Sequence, residues 1–144
     1  MDRQKKQIIG YTTGVFDMFH VGHLNILRRA KELCDYLIVG VSTDELCLSY
    51  KKKKPIVPYE ERKAIIEAIK YVDKVVPQVN RDKFHAWEEI GFDVMFVGDD
   101  WKGSPLFSEL EKRFAEVGVK IEYFPYTNGT SSTILRERLL NQND

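Results

Sequence analysis

The chain has 144 residues, of which 43% are hydrophobic and 31% charged, a size and balance that suit one folded domain. Its 22 basic and 22 acidic residues give a net charge of zero, which argues against a dedicated duplex-binding protein, because such proteins need surplus cations. Two cysteines exclude a disulfide scaffold, and neither a signal-peptide pattern nor a membrane-length apolar run is present. We therefore expect one cytoplasmic domain over residues 1–144.

Short apolar runs alternate with helical patterns along the chain. The predicted strands cover residues 8–12, 36–41, 74–76, 94–97 and 120–124. The predicted helices cover residues 24–33, a stretch opened by Pro58, and residues 82–90, 104–118 and 133–140. This alternation predicts βαβ units in a doubly wound, parallel α/β sheet of five strands.

Helical spacing also predicts which apolar side chains are buried. The predicted inner faces comprise Ile26, Leu27, Ala30, Leu33 and Cys34 in the first helix, Ile65, Ile66 and Ile69 in the second, and Leu106, Phe107, Leu110, Phe114 and Val117 in the fourth. Ligands of doubly wound sheets bind beyond the carboxyl ends of the strands. We therefore expect the chemistry in residues 12–23, 42–58, 98–104 and 126–133.

Two of the three histidines, His20 and His23, follow the first strand and open a helix. Helix-start amides together with two imidazoles make an anion site, and Gly22 lets a ligand approach the backbone closely. Two alternatives stay open at this point. The histidines could form a metal pair, or they could be one satisfied core histidine and one surface histidine.

The second candidate is the lysine run 51–54, which follows the second strand, together with Arg62 on the next helix. The run could be a solvated loop, or it could supply cations for anionic substrates and close over them. Arg62 could form an exposed helical ion pair, or its planar fork could bind phosphate oxygens.

Two further candidates lie beyond later strands. Asp99 and Asp100 could hold Mg²⁺ through water or cap the next helix, and Trp101 could pack locally or stack on a base. Hydroxyl residues within 127–133 precede a helix, where they could act as caps or leave free amides for phosphate.

These motifs resemble a known family. Gly-x-Phe-Asp at 14–17, followed by His-x-Gly-His at 20–23, is similar to the signature of nucleotidyltransferases with a HIGH-like motif. Residues 42–45, 59–63, 71–73, 98–101 and 129–133 resemble the cytidylyltransferase branch, in its order, and are closest to the bacterial glycerol-3-phosphate cytidylyltransferases. The resemblance covers residues 8–139. It implies a Rossmann-like fold in which a phosphate monoester attacks the α-phosphorus of CTP and pyrophosphate leaves.

The resemblance also implies roles for individual residues. His20, His23, Lys53 and Arg62 match the catalytic and triphosphate-binding positions, and Lys51 matches an acceptor-phosphate lysine. One extra residue between Ser42 and Arg62 can shift the positions of Lys51 and Lys53 by one. Lys83 lies one residue from the position of another acceptor-binding lysine. The remaining nucleotide-binding positions implied are Val15, Phe16, Asp100, Tyr126, Thr127, Gly129, Thr130, Ser131, Ser132 and Thr133. Asp17 would fix a loop or lie near a metal. Mg²⁺ would accompany CTP, and family members are usually homodimers without nucleic-acid or membrane partners.

The chain departs from the family pattern before the last helix. Tyr126 stands where the family has Arg, and Asn128 where it has Glu. The loss of that arginine charge puts the affinity for CTP and the base preference in question. The rival functions are an adenylyltransferase that uses ATP and a nucleotide-sensing module without turnover.

Overall fold

A five-stranded parallel sheet forms the centre of the structure. The computed structural model describes residues 7–125 and 132–141. The strands are β1 (Ile9–Gly14), β2 (Tyr36–Ser42), β3 (Lys74–Gln78), β4 (Val94–Gly98) and β5 (Lys120–Phe124). They lie in the order β3-β2-β1-β4-β5, and each neighbouring pair is parallel. The predicted doubly wound α/β fold is confirmed, and the strand order reverses between β1 and β4.

Helices connect the strands. They are α1 (Val21–Glu32), α2 (Asp44–Lys51), α3 (Tyr59–Glu67), α4 (Lys83–Ile90), α5 (Pro105–Glu116) and α6 (Ser132–Asn141), with a short 3₁₀ helix at Asp99–Trp101. No helix in the described ranges is long and apolar enough to cross a membrane. Helix α2 was not predicted, because it is only two turns long and buries only Leu46 and Cys47. The sequence feature that indicates this helix is its N-terminal cap, because the Thr43 hydroxyl accepts a hydrogen bond from the amide of Leu46 at 3.1 Å.

The sheet is covered on both faces. Successive β2 side chains point to opposite faces, so Leu37 and Val39 pack beneath α1 and α3, and Ile38 packs beneath α4 and α5. The first layer is closed by Leu27 of α1 and Ile66 of α3, both fully buried. Because α1 and α4 lie in different layers, the segments that begin them approach the carboxyl end of β1 from opposite faces.

Four residues predicted to be buried are exposed. Leu33, Ile65, Leu106 and Val117 show 40–63% of their surface to solvent. Each lies at the edge of its helix's apolar stripe, where one further step of about 100° turns the side chain outwards. In α3 the inner face is occupied instead by Arg62, four residues before Ile66 and 1% exposed.

The strands β1 and β4 separate towards their carboxyl ends. They pair only over Gly10–Thr12 and Val94–Phe96, and the Thr12 hydroxyl donates to the Phe96 carbonyl at 2.9 Å. Beyond this point the end of β1 continues to pair with β2, whereas the end of β4 pairs with β5. The separation opens a gap at the point where the strand order reverses, which is the position at which such sheets bind ligands.

Candidate active site

The loop between β1 and α1 has an unusual backbone. Phe16 and Met18 adopt φ angles of 55° and 50°, a left-handed region that costs a non-glycine residue about 1–3 kcal/mol. The Phe16 ring offsets part of this cost because it is buried in the layer beneath α1. The loop is therefore held in one shape before any ligand arrives.

The two histidines form a reciprocal cap at the start of α1. The Nδ1 atom of His20 accepts from the amide of Gly22 at 3.0 Å, and the Nδ1 atom of His23 accepts from the amide of His20 at 3.2 Å. The rings stack with centroids 3.9 Å apart. A neutral imidazole whose Nδ1 accepts a hydrogen bond carries its proton on Nε2. Each histidine thus has an Nε2–H group to donate.

The surroundings keep both imidazoles neutral. Burial, assisted by the neighbouring His20, lowers the pKa of His23 to about 4, although Asp17 acts in the opposite direction. Burial also lowers the pKa of His20. At neutral pH the pair therefore forms two uncharged Nε2–H donors at a helix start, an arrangement suited to phosphate oxygens.

Arg62 joins three segments that border the site. Its side chain is buried and donates four hydrogen bonds of 2.6–2.8 Å, to the carbonyls of Val57, Val15 and Ser42 and to the carboxylate of Asp44. The alternative of an exposed helical ion pair is therefore excluded, because Arg62 is buried and its carboxylate partner Asp44 lies on α2. Four of its five N–H groups are used within the protein, so a direct contact with a triphosphate, which stays a prediction, would fall to the remaining one.

Asp17 fixes the segment that follows the lysine run. Its two carboxylate oxygens accept from the amides of Ile56 and Val57, each at 2.8 Å. The Val57 peptide is therefore held at its amide by Asp17 and at its carbonyl by Arg62. Of the two roles considered for Asp17, the structure shows the loop-fixing one.

The lysine run divides at the end of α2. Lys51 is the last residue of that helix, and Lys52 ends it in a left-handed conformation with φ of 61°. Both Lys51 and Lys53 are exposed, but Lys51 lines a cavity between α4 and α5 and Lys53 does not. Their separate substrate roles stay predictions.

A cavity of about 710 Å³ occupies the gap between the separated strands, and we call it the α4–α5 cavity. Its floor is formed by the ends of β1, β2, β3 and β4. Its walls are formed by the end of α2, the start of α4, the 3₁₀ helix and α5. Its charged and aromatic lining includes Tyr50, Lys51, Arg81, Asp82, Lys83, Trp101, Glu109 and Arg113. Its volume lies within the usual range for small-molecule sites.

Lys83 lies in the wall of this cavity. Its Nζ is 3.4 Å from the hydroxyl of Thr13 at the end of β1. Burial, together with the nearby Arg81, lowers the pKa of Lys83 to about 8. A poorly solvated ammonium group beside a second cation is stabilised by an incoming anion.

The 3₁₀ helix places Trp101 at the cavity and leaves Asp99 and Asp100 exposed. The two aspartates do not cap α5, because the hydroxyl of Ser104 caps it by accepting from the amide of Phe107. The Trp101 ring lies 5.4 Å from that of Phe107 and is 40% exposed, so it packs locally and also faces the cavity.

Only some of the remaining residues predicted to bind the nucleotide belong to the part of the chain that the structure describes. Tyr126, Thr127, Gly129, Thr130 and Ser131 lie outside the described residues, and Ser132 and Thr133 begin the backbone of α6. Val15 and Phe16 were predicted to offer backbone groups to a nucleotide, and the Val15 carbonyl accepts from Arg62.

The charged cavity residues Arg81, Asp82, Glu109 and Arg113 were not predicted to belong to a site, and Tyr50 lies within the predicted segment 42–58 without having been singled out. The signal available for Arg113 is its position three residues after Leu110, near the same face of α5.

A helix start with two neutral imidazoles, at the strand-order reversal of a parallel sheet, is the arrangement expected of a nucleotidyltransferase with a His-x-Gly-His motif. A family model described as cytidylyltransferase-like matches residues 11–138. The chain belongs to the cytidylyltransferase-like family, as the resemblance implied, and it is an enzyme of the nucleotidyltransferase class.

Relatives of this chain carry two activities in their names. The chain is 42% identical over 135 residues to glycerol-3-phosphate cytidylyltransferase of Bacillus subtilis, covering 93% of this chain and 97% of the relative. It is also 42% identical over 107 residues to FAD synthase of Archaeoglobus fulgidus, covering 70% and 74%. Among solved structures, a lipopolysaccharide core biosynthesis protein from Thermoplasma volcanium matches with a TM-score of 0.70 and 28% identity, over 87% of this chain and all of that one.

Proposed function

We propose that the chain transfers a cytidylyl group from CTP to a small phosphate monoester, with glycerol 3-phosphate as the first acceptor to test. An oxygen of the acceptor phosphate attacks the α-phosphorus of CTP, the bond from that phosphorus to the α–β bridging oxygen breaks, and pyrophosphate leaves. The observation that carries the proposal is the pair of neutral Nε2–H donors at the start of α1. Support for the nucleotide and the acceptor comes from relatives with that activity in their names.

The histidines act in this proposal by stabilising charge. In-line displacement needs the reactants positioned and the charge on the phosphoryl oxygens stabilised, with little covalent help from the protein. Donors already held in place are effective because they do not reorganise during the reaction. His20 and His23 are held by hydrogen bonds to backbone amides, and Arg62 and Asp17 hold the adjoining segments. Lys53 then supplies a charge to the triphosphate, and Lys51 and Lys83 supply charge to the acceptor.

Mg²⁺ accompanies the triphosphate in this proposal. Magnesium ions prefer oxygen ligands and are usually held by one or two carboxylates, substrate phosphates and water. Asp17 and Asp44 already accept hydrogen bonds within the protein, whereas Asp99 and Asp100 are exposed beside the cavity. The exposed pair fits the ion, which would neutralise charge on the triphosphate oxygens.

Pyrophosphate release tests the proposal. The full-length chain is assayed with CTP or ATP, each with glycerol 3-phosphate or with FMN, the latter because FAD synthases are among the relatives. We expect release with CTP and a phosphate monoester and none in excess EDTA. Preference for ATP would favour an adenylyltransferase and would contradict the proposal.

The histidine role is tested in the same assay. Replacement of His23 by Ala should lower kcat by about 10²–10³, the usual cost of losing one transition-state donor. The matched control is His85→Ala, which changes an exposed histidine of α4 that does not belong to the pair. Equal rates for the two variants would exclude the proposed role.

A further inference from the structure

The wall of the α4–α5 cavity carries more positive charge than the reaction has assigned to it. Its lining contains four basic side chains, Lys51, Arg81, Lys83 and Arg113, and two acidic ones, Asp82 and Glu109. The cavity therefore has an excess of two positive charges in a chain whose net charge is zero. Because concave sites concentrate the field of their charges, this cavity attracts anions.

Arg113 is an exposed residue whose guanidinium lies over an aromatic ring. Its guanidinium carbon lies 4.0 Å from the ring centroid of Phe84, and that ring stacks on Phe114 in the layer between α4 and α5. Among the described residues, no carboxylate lies within 4 Å of the Arg113 guanidinium. Its face is thus covered by an aromatic ring, and its N–H edges are left for a ligand.

The other basic residues lie on separate elements. Arg81 stacks on the ring of Tyr50 at 4.5 Å, and Lys83 lies beside Thr13 at the end of β1. The end of β1 lines the cavity and leads into the histidine loop, so we expect the phosphate that attacks CTP to lie near it, although neither histidine lines the cavity. Lys51 and Lys83 are assigned to this phosphate, and Arg81 and Arg113 are the basic residues that remain. Asp82 and Glu109 equal them in number, but the Asp82 carboxylate caps α4 by accepting from the amide of His85, and neither acid lies within 4 Å of the Arg113 guanidinium. Only Arg113 is carried by α5.

We infer that the acceptor carries a second anionic group besides the phosphate that attacks CTP, and that Arg113 binds this group. A guanidinium pairs with a carboxylate or phosphate through two parallel hydrogen bonds, a geometry that a neutral hydroxyl does not match. The volume of about 710 Å³ leaves room for an acceptor longer than glycerol 3-phosphate. The inference rests on the proposed function and extends it to the class of acceptor.

Matched pairs of phosphate monoesters test the inference by calorimetric binding to the full-length chain. In each pair a terminal carboxylate replaces a terminal alcohol on the same carbon skeleton. The pairs are 3-phosphoglycerate with glycerol 3-phosphate, and 6-phosphogluconate with glucitol 6-phosphate. We expect the carboxylate member of at least one pair to bind about 10-fold to 100-fold more tightly, the effect of one charge-assisted contact.

Variants of α5 assign that preference to Arg113. Arg113→Gln should bring the two affinities within about twofold, with the larger loss of affinity for the carboxylate member. The control is Lys112→Gln, which removes the adjacent exposed charge of α5 that does not line the cavity and should keep the preference. Equal affinities in both pairs for the unmodified chain would overturn the inference. A preference for the carboxylate member that persists in Arg113→Gln would also overturn the inference.

Turnover with CTP separates this inference from the proposed function. Pyrophosphate release with the alcohol acceptors and no carboxylate preference would refute the inference and leave the proposed function intact. A carboxylate preference abolished by Arg113→Gln, without release from CTP in any pair, would refute the proposed function and leave the anion site intact.

Discussion

Replacement of Arg62 by Lys is the most decisive test of how the site is held together. Lysine keeps the positive charge but places it on one ammonium group, whereas the four acceptors of Arg62 belong to three different segments. An ammonium group cannot reach all of them, so at least two buried acceptors lose their donor. A hydrogen bond to a charged group contributes roughly 1.5–3 kcal/mol, so losing two gives a loss of about 3–6 kcal/mol in the free energy of unfolding.

This loss is large for a domain of this size. Single domains are stable by about 5–15 kcal/mol, so the variant should keep its fold with much of its stability removed. Urea unfolding followed by circular dichroism at pH 7 measures the change. Arg28→Lys, an exposed position on α1, is the matched control and should stay within about 0.5 kcal/mol of the unmodified chain.

One result would refute this reasoning. If Arg62→Lys unfolds at the same urea concentration as the unmodified chain and only its KM for CTP rises, then the guanidinium serves the nucleotide and not the protein. The expected result is a fall in stability accompanied by a fall in kcat, because the loosened segments include Val15, which precedes the histidine loop.

Two further predictions concern the histidine pair and the sheet. Unfolded His23 binds a proton near its ordinary pKa of 6.5 and the folded residue only near 4, so stability falls as the pH drops through this window. Between pH 7 and pH 4, urea unfolding should show that the unmodified chain loses up to about 3 kcal/mol more stability than His23→Gln. An equal pH dependence of the two proteins would contradict the low pKa of His23. Gly10→Ala should cost about 1–3 kcal/mol in urea unfolding, because its Cβ would lie 2.6 Å from the Phe96 ring and 2.8 Å from the Cys34 sulfur. Unchanged stability would contradict the close packing there.

The sequence predicted the layers of the fold better than the details of the helices. The continuous apolar run of β2 indicated a strand buried on both faces, and the structure has this arrangement. Edge positions of helices were wrongly assigned, as at Leu106, because a periodic pattern marks the centre of a buried face more sharply than its limits.

The candidate site was predicted where its residues are adjacent in sequence. His20 and His23 are one helical turn apart, so their shared position at a helix start could be predicted. Their tautomers depend on which backbone amides each ring meets, and the burial of Arg62 depends on carbonyls 5 to 47 residues away. Distant partners leave no local pattern, and for the same reason the placement of Arg113 against Phe84 became visible only in the structure.

The short pairing between β1 and β4 affects how firmly the two halves of the sheet are joined. Three residue pairs join the half-sheet β3-β2-β1 to the half-sheet β4-β5, and the strands part directly above them. A ligand in the α4–α5 cavity touches the end of β1 at Thr13 and the end of β4 at Val97, so it bridges the two halves where their own hydrogen bonds stop. We expect a bound ligand to strengthen the sheet at the strand pair that has the fewest paired residues.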